Sequence, residues 1–246
     1  MKRIKKYLEG FKGKKTAVAY SGGVDSSLIS FMAKKFADSI TIRSEFTPRY
    51  AVDDAINFAK RFGINHRVID ITILNDEIKR NPGNRCYLCK KKIFREIKAL
   101  GYDVILDGTN ADDLREDRPG LRANKEEGVV SPLADLGLGK KEIRKIMYKV
   151  DKKIAMKPSE TCLATRIPFN SEITPDRLRR IDKAEEILRS INLSTVRVRD
   201  HFPLARIQIL RNEFDLILDK RDTVSRFKKL GYKSVTLDLE GYEVAD

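Results

Sequence analysis

Three observations predict an α/β fold: a doubly wound parallel sheet followed by a small C-terminal α+β domain. Short apolar, β-favouring runs alternate with segments of helical periodicity over residues 1–170, the pattern of parallel strands joined by crossover helices. The first run stops at Ser21-Gly22-Gly23, and a helical pattern starts at once. Beyond residue 171 a helix leads into two alternating runs in direct succession, which reads as a smaller domain with antiparallel pairing.

Each element follows from its own residues. Residues 1–14 place Ile4, Tyr7, Leu8 and Phe11 on one helical face, with lysines opposite. The first strand starts at Thr16 and Ala17, and the helix after the glycines carries Leu28, Ile29, Met32, Ala33 and Phe36. Residues 39–44 form a second strand. Residues 49–62 repeat Ala51, Ala55, Ile56, Phe58 and Ala59 at helical spacing and stop at Gly63. Residues 66–70 and 104–106 are the third and fourth strands, and 129–133 a short fifth. Helices at 90–100 and 140–149 lie between them. Residues 150–172, with Lys157-Pro158 and Ile167-Pro168, are irregular. Thr174-Pro175-Asp176 opens a helix to about residue 190, with proline in its first turn. Strands at 194–199 and 205–209, a helix at 223–230 and a strand at 234–239 complete the domain 171–246.

Composition bounds the function. The 246 residues include 50 Lys+Arg against 36 Asp+Glu, a net charge of +14. That balance favours acidic partners, such as nucleotides, phosphorylated metabolites or nucleic acid, or reflects a lysine-rich solvated surface. No run approaches the ~18 apolar residues of a membrane span, and the first residues lack the apolar region of a signal peptide. Three cysteines, an odd number, argue against a disulfide framework. A cytoplasmic protein without a membrane partner is expected.

The glycine turn is a phosphate cradle. Gly22 and Gly23 allow a tight turn and let an anion approach their N–H groups. The helix behind them adds free donors and the positive end of its dipole. Ser21, Ser26 and Ser27 carry hydroxyls for phosphate oxygens, and Asp25 is placed to hold Mg²⁺. A Walker loop is excluded, because its spacing and its lysine are both missing. Thr109 and Asn110 end the fourth strand where ligands of such sheets bind; with Ser44 they are candidate contacts of a nucleotide. The candidate nucleotide-binding set is Ala19, Ser21, Gly22, Gly23, Val24, Asp25, Ser26, Ser27, Ser44, Thr109 and Asn110.

The cysteines form a second constellation. Cys86 and Cys89 make the one C-x-x-C of the chain, and Cys162 lies far downstream in the irregular stretch. Three thiolates suit a zinc ion with an open position or an iron–sulfur cluster with one unprotected iron. Redox or sulfur-carrying thiols and inert buried thiols are the other readings. Arg85, Lys90, Lys91 and Lys92 beside the pair, and Arg166 beside Cys162, favour thiolates. The two histidines, His66 and His201, are remote from both segments and read as packing or surface residues.

Ser-Gly-Gly-x-Asp-Ser-Ser resembles the PP-loop of the ATP pyrophosphatase (adenine nucleotide α-hydrolase-like) superfamily, which cuts ATP between the α- and β-phosphates. The longer set of motifs resembles the LarE family. That set is Ser21–Ser27, Asn81-Pro82 through Cys89-Lys90, residues 107–113, Asp117-Arg118-Pro119-Gly120 with Arg122-Ala123, Ser131-Pro132-Leu133, and Lys157-Pro158 through Cys162 to Arg166. The resemblance spans about residues 15–210. It implies an ATP-dependent sulfur transferase that adenylates a carboxylate of a pyridinium mononucleotide, releases pyrophosphate and inserts sulfur during nickel-pincer cofactor synthesis. One branch of the family sacrifices a single cysteine. The other holds a 4Fe–4S cluster carrying an extra sulfide on three cysteines, and Cys86, Cys89 and Cys162 are similar to that branch. Homo-oligomerisation is also implied. Arg197, Arg199 and Arg206 are candidates for the substrate phosphate, or a solvated basic strand face. The alternatives are a PP-loop enzyme thiolating tRNA and a non-enzymatic basic nucleotide- or RNA-binding protein with a structural metal.

Overall fold

The computed structural model describes residues 1–116, 118–218 and 220–242; Asp117 of the motif set and the last four residues of the expected C-terminal domain lie outside them. The chain divides into two compact units. Unit 1 holds residues 1–73 and 84–160, and unit 2 holds 74–83 and 161–246.

Unit 1 opens with α1 (Lys2–Leu8), whose Ile4 and Leu8 are buried, followed by a 3₁₀ turn at Glu9–Phe11. The expected helix over 1–14 is therefore shorter, broken where Gly10 and Gly13 weaken helical hydrogen bonding. Next come β1 (Thr16–Ala19), α2 (Val24–Ala33), β2 (Ala37–Arg43), α3 (Arg49–Phe62) and β3 (His66–Asp70). Gly63 ends α3 in the left-handed conformation, as its position after the last periodic residue predicts. The excursion 74–83 carries α4 (Asp76–Lys79) into unit 2. Unit 1 resumes with α5 (Arg85–Ala99), β4 (Val104–Leu106), α6 (Pro119–Glu126), α7 (Pro132–Asp135), α8 (Lys140–Tyr148) and α9 (Lys152–Met156).

The four strands are all parallel, in the order β3-β2-β1-β4. The chain winds outward from β1 to β3, then returns to the far side of β1 for β4. That reversal leaves a crevice at the carboxyl ends of β1 and β4, the usual ligand position in open α/β sheets. The expected fifth strand over 129–133 is absent. Val130 makes only an isolated bridge to Leu106, and Pro132 then starts α7. Proline has no N–H to extend a ladder and its fixed φ suits a first helical turn.

In unit 2, Thr174 caps α10 (Pro175–Arg189) by accepting from the Arg177 N–H at 3.2 Å. β5 (Val196–His201) pairs antiparallel with β6 (Leu204–Ile209). After α11 (Asp215–Leu218) and α12 (Arg221–Lys229), β7 (Ser234–Leu237) joins β6 in parallel. Ile187, Leu188, Val196, Val198, Ile207, Phe227 and Tyr232 form the core of this unit. No helix among the described residues is long and apolar enough to cross a membrane.

Candidate nucleotide cradle and cysteine sites

The turn after β1 is built by its own serines. The Ser26 hydroxyl donates to the Gly23 carbonyl at 3.2 Å and accepts from the Ser21 N–H at 3.2 Å. Gly22 has φ +75°, and a Cβ there would press on Ala55 of α3 at 3.2 Å. Gly23 is the N-cap of α2, so the helix's unpaired amides face the turn. Ser21 is exposed at the lip, while Ser26 and Ser27 are buried. Ala19 and Val24 flank the turn, half-buried and buried.

Asp25 sits in the first turn of α2. Its Oδ2 accepts from the Lys140 ammonium at 2.5 Å, and its Oδ1 is buried without a hydrogen-bond partner among the described residues. Burial pushes the Asp25 carboxyl above the usual carboxylate range; Lys140 opposes this and Asp113 adds to it. Lys140 was not among the residues singled out from sequence. It is one of fifty basic residues, and only the packing of α8 on α2 brings it to the cradle. The backbone N–H of Lys140 donates to Asp112 at 2.6 Å, which fixes the start of α8.

The loop after β4 closes the crevice. Asp107 accepts from the Thr109 N–H (3.0 Å), Ser131 Oγ (2.7 Å), Asn124 Nδ2 (2.6 Å) and the Thr109 hydroxyl. Asn110 accepts from the Asp112 and Asp113 N–H groups through its side-chain oxygen. The side chains of Thr109 and Asn110 thus shape the loop, a role that their position in the sequence does not reveal. A Cβ on Gly108 would lie 2.6 Å from the Ser26 nitrogen, so glycine alone lets this loop touch the cradle. Ser44, just past β2, bonds Thr47.

For the Mg²⁺ expected here, the turn offers one candidate carboxylate donor. Mg²⁺ takes carboxylate oxygens and phosphates, and Asp25 offers a buried carboxylate oxygen left unpaired beside the turn.

Cys86 and Cys89 occupy the first turn of α5, which starts at Arg85 rather than at residue 90. Three apart on a helix, their side chains share one face; neither is in a disulfide, and Cys86 is exposed and Cys89 half-exposed. As soft donors they suit iron or zinc. Cys162, half-exposed and outside any disulfide, belongs to unit 2 at the N-cap of a 3₁₀ turn, Leu163–Arg166. No group of three or more His, Cys, Asp or Glu side chains among the described residues is arranged to hold a metal ion. Asn81, buried in unit 2 with φ +57°, donates to the Pro168 carbonyl at 2.7 Å and accepts from the Asn170 N–H at 3.0 Å. It ties the segment leading into the C-x-x-C to the segment leaving Cys162. His66 pairs Nε2 with Thr41 Oγ1 at 2.8 Å and lies edge-on to Tyr20; burial lowers its pKa, as a packing residue would show. His201 ends β5, exposed.

Arg197, Arg199 and Arg206 occupy the β5–β6 hairpin, with Arg199 directly opposite Arg206. Arg197 is buried and stacks 5.2 Å from the Tyr242 ring. Arg199 bonds Gln208 and the Thr165 carbonyl, and burial with its neighbours Arg166, Arg206 and Arg197 lowers its pKa. Arg206 is the more open, 3.6 Å from Asp238.

A strand, glycine turn and helix at the switch point of a parallel sheet, with an aspartate in the helix's first turn, define the PP-loop ATP pyrophosphatase fold. Residues 14–173 match a family of unknown function, DUF7411. The chain belongs to that family and, through one relative 30% identical over 93% of this chain, to the LarE family. An uncharacterized protein of Methanocaldococcus jannaschii is 42% identical over 240 residues, covering 95% of this chain and 93% of its own. The pyridinium-3,5-bisthiocarboxylic acid mononucleotide synthase of Lactiplantibacillus plantarum is 30% identical over 239 residues, covering 93% and 87%. An NH(3)-dependent NAD(+) synthetase of Aeropyrum pernix is 36% identical over 75 residues, 28% of this chain and 26% of its own.

Proposed function

We propose that the protein is an ATP-dependent sulfur transferase that adenylates a carboxylate of a pyridinium mononucleotide and replaces the activated oxygen with sulfur. The observation that carries the reading is the Asp25–Lys140 pair at the cradle: an acid with a free buried oxygen and a cation beside one turn of donors. A carboxylate oxygen leaves only when activated, and transfer to AMP activates it. The amides of the turn and α2 take the departing pyrophosphate, Asp25 holds Mg²⁺, and Lys140 neutralises phosphate charge as it develops. The name of the L. plantarum relative supports the substrate class.

Cys86, Cys89 and Cys162 are the sulfur-handling residues of this reading and would hold a 4Fe–4S cluster. When bound, that cluster supplies the sulfide to be transferred. Arg206, with Arg199 and Arg197, receives the substrate phosphate. A cytoplasmic, homo-oligomeric enzyme completes the proposal; cysteines outside any disulfide agree with a reducing compartment.

Incubation with Mg·ATP and candidate mononucleotide carboxylates should release pyrophosphate and form an AMP-linked product. If no acceptor yields pyrophosphate, the reading fails. A second reading, tRNA thiolation, draws on the exposed Lys141, Lys145, Lys149, Lys152 and Lys153 of α8, α9 and the link between them. Tight tRNA binding with a steep salt dependence would favour it.

A further inference from the structure

The turn that carries Cys162 gives its carbonyls to arginines. Arg166, 1% exposed, donates from one terminal nitrogen to the Thr161 and Cys162 carbonyls, each at 3.2 Å, and to Thr165 Oγ1 at 2.8 Å. Its other edge grips Glu185 of α10, Nε to Oε1 at 2.8 Å and the second terminal nitrogen to Oε2 at 3.3 Å. Glu185, equally buried, also accepts from the Val198 N–H of β5 at 3.0 Å. From the same strand, Arg199 donates to the Thr165 carbonyl at 2.7 Å and to Gln208 Oε1 of β6 at 2.7 Å.

Three carbonyls within five residues are thus held by guanidinium groups anchored in a helix and two strands. Stability alone explains this poorly, because a buried ion pair pays heavily for desolvation and gains little over apolar packing. Its direction is informative. Glu185 orients the planar fork of Arg166, and the fork's free edge meets the backbone on both sides of the Cys162 peptide. Lysine would offer one point charge in place of that fork.

We infer that Arg166, braced by Glu185 and assisted by Arg199, is a positioning residue for Cys162. It holds the cysteine backbone in one conformation, so that the thiol leaves the turn in a single direction. This rests on the reading of Cys162 as a sulfur-handling residue. It also divides the labour of Arg199: one of its nitrogens serves the turn and another bonds Gln208, so any substrate phosphate falls chiefly to Arg206.

The test compares alkylation of Cys162 and Cys86 by iodoacetamide at fixed pH in the full-length, reduced protein, read by mass spectrometry of the two peptides. Cys86 serves as the internal reference. Arg166→Lys and Glu185→Gln should each raise the Cys162:Cys86 rate ratio by about tenfold, as a supported group loses its supporting shell. Arg199→Gln, which leaves the ion pair intact, should raise it by a smaller factor in the same direction. Melting temperatures are taken on the same samples. An unchanged ratio in the folded variants, even with lowered melting temperatures, would overturn the inference and leave a purely structural arginine. Should Arg166→Lys not fold, Arg199→Gln decides alone. The ratio needs no ATP or sulfur acceptor, so its failure is separable from failure of pyrophosphate release.

Discussion

Asp25 and Lys140 are 115 positions apart, yet they form the charge pair on which the proposed chemistry turns. Lys140→Ala leaves Asp25 buried without its counter-ion, and phosphate charge without a cation. Pyrophosphate release should fall about 10²-fold or more, with Lys140→Arg retaining part of it; a variant of full activity would remove Lys140 from the mechanism. Gly108→Ala forces a methyl to within 2.6 Å of the Ser26 nitrogen. The backbone must shift at both loops, at a cost of about 1–3 kcal/mol in urea unfolding, together with weaker ATP binding. Cys162→Ser should abolish sulfur transfer and spare adenylation, because the cradle is built from other residues. Loss of both activities would show that the cysteine turn supports the ATP site.

At the scale of elements, α5 was only half legible. Its apolar periodicity begins late, so the sequence places its start at residue 90, while the helix starts at Arg85 and takes the C-x-x-C into its first turn. Arg85 is buried, an environment that an arginine's identity does not announce. The α5–α6 contact carries its own charge cluster. Lys91 and Tyr87 of α5 and Arg122 of α6 all bond Glu126, lowering its pKa from 4.5 to about 2. A lowered acid pKa stabilises the fold above the ordinary value, and that contribution is lost as pH falls through about 2. Glu126→Gln should therefore lower the melting temperature at neutral pH and close the gap to wild type as the pH drops from 4.5 towards 2. A gap that persists unchanged at low pH would show that packing, and not ionisation, accounts for it.

Over the whole molecule, the chain crosses between its two units three times, and residues 74–83 are the short excursion that joins unit 2 ahead of the C-x-x-C. The cluster proposal is decided by anaerobic purification followed by iron and sulfide analysis. About four irons per chain with matching sulfide are expected; zinc alone would sink the cluster and leave the adenylation reading intact. The parallel sheet, the glycine turn and the helix at 49–62 were legible because each rests on local rules: β-favouring runs, missing side chains, periodicity and a terminal glycine. The short fifth strand failed because one proline outweighs two valines.

By itself, then, the sequence determined the class of fold and the place of the cradle, both carried by residues close in the chain, and the identity of the three cysteines. Tertiary structure alone decided that Lys140 faces Asp25, that Asp107 gathers four donors to shape the loop after β4, and that Arg166 grips the cysteine turn through Glu185. Apart from Thr109, two residues from Asp107, those partners are brought together from separate segments of the chain. Burial, and not local propensity, makes charged and polar groups seek one another out, since each would be costly to leave unpaired away from water.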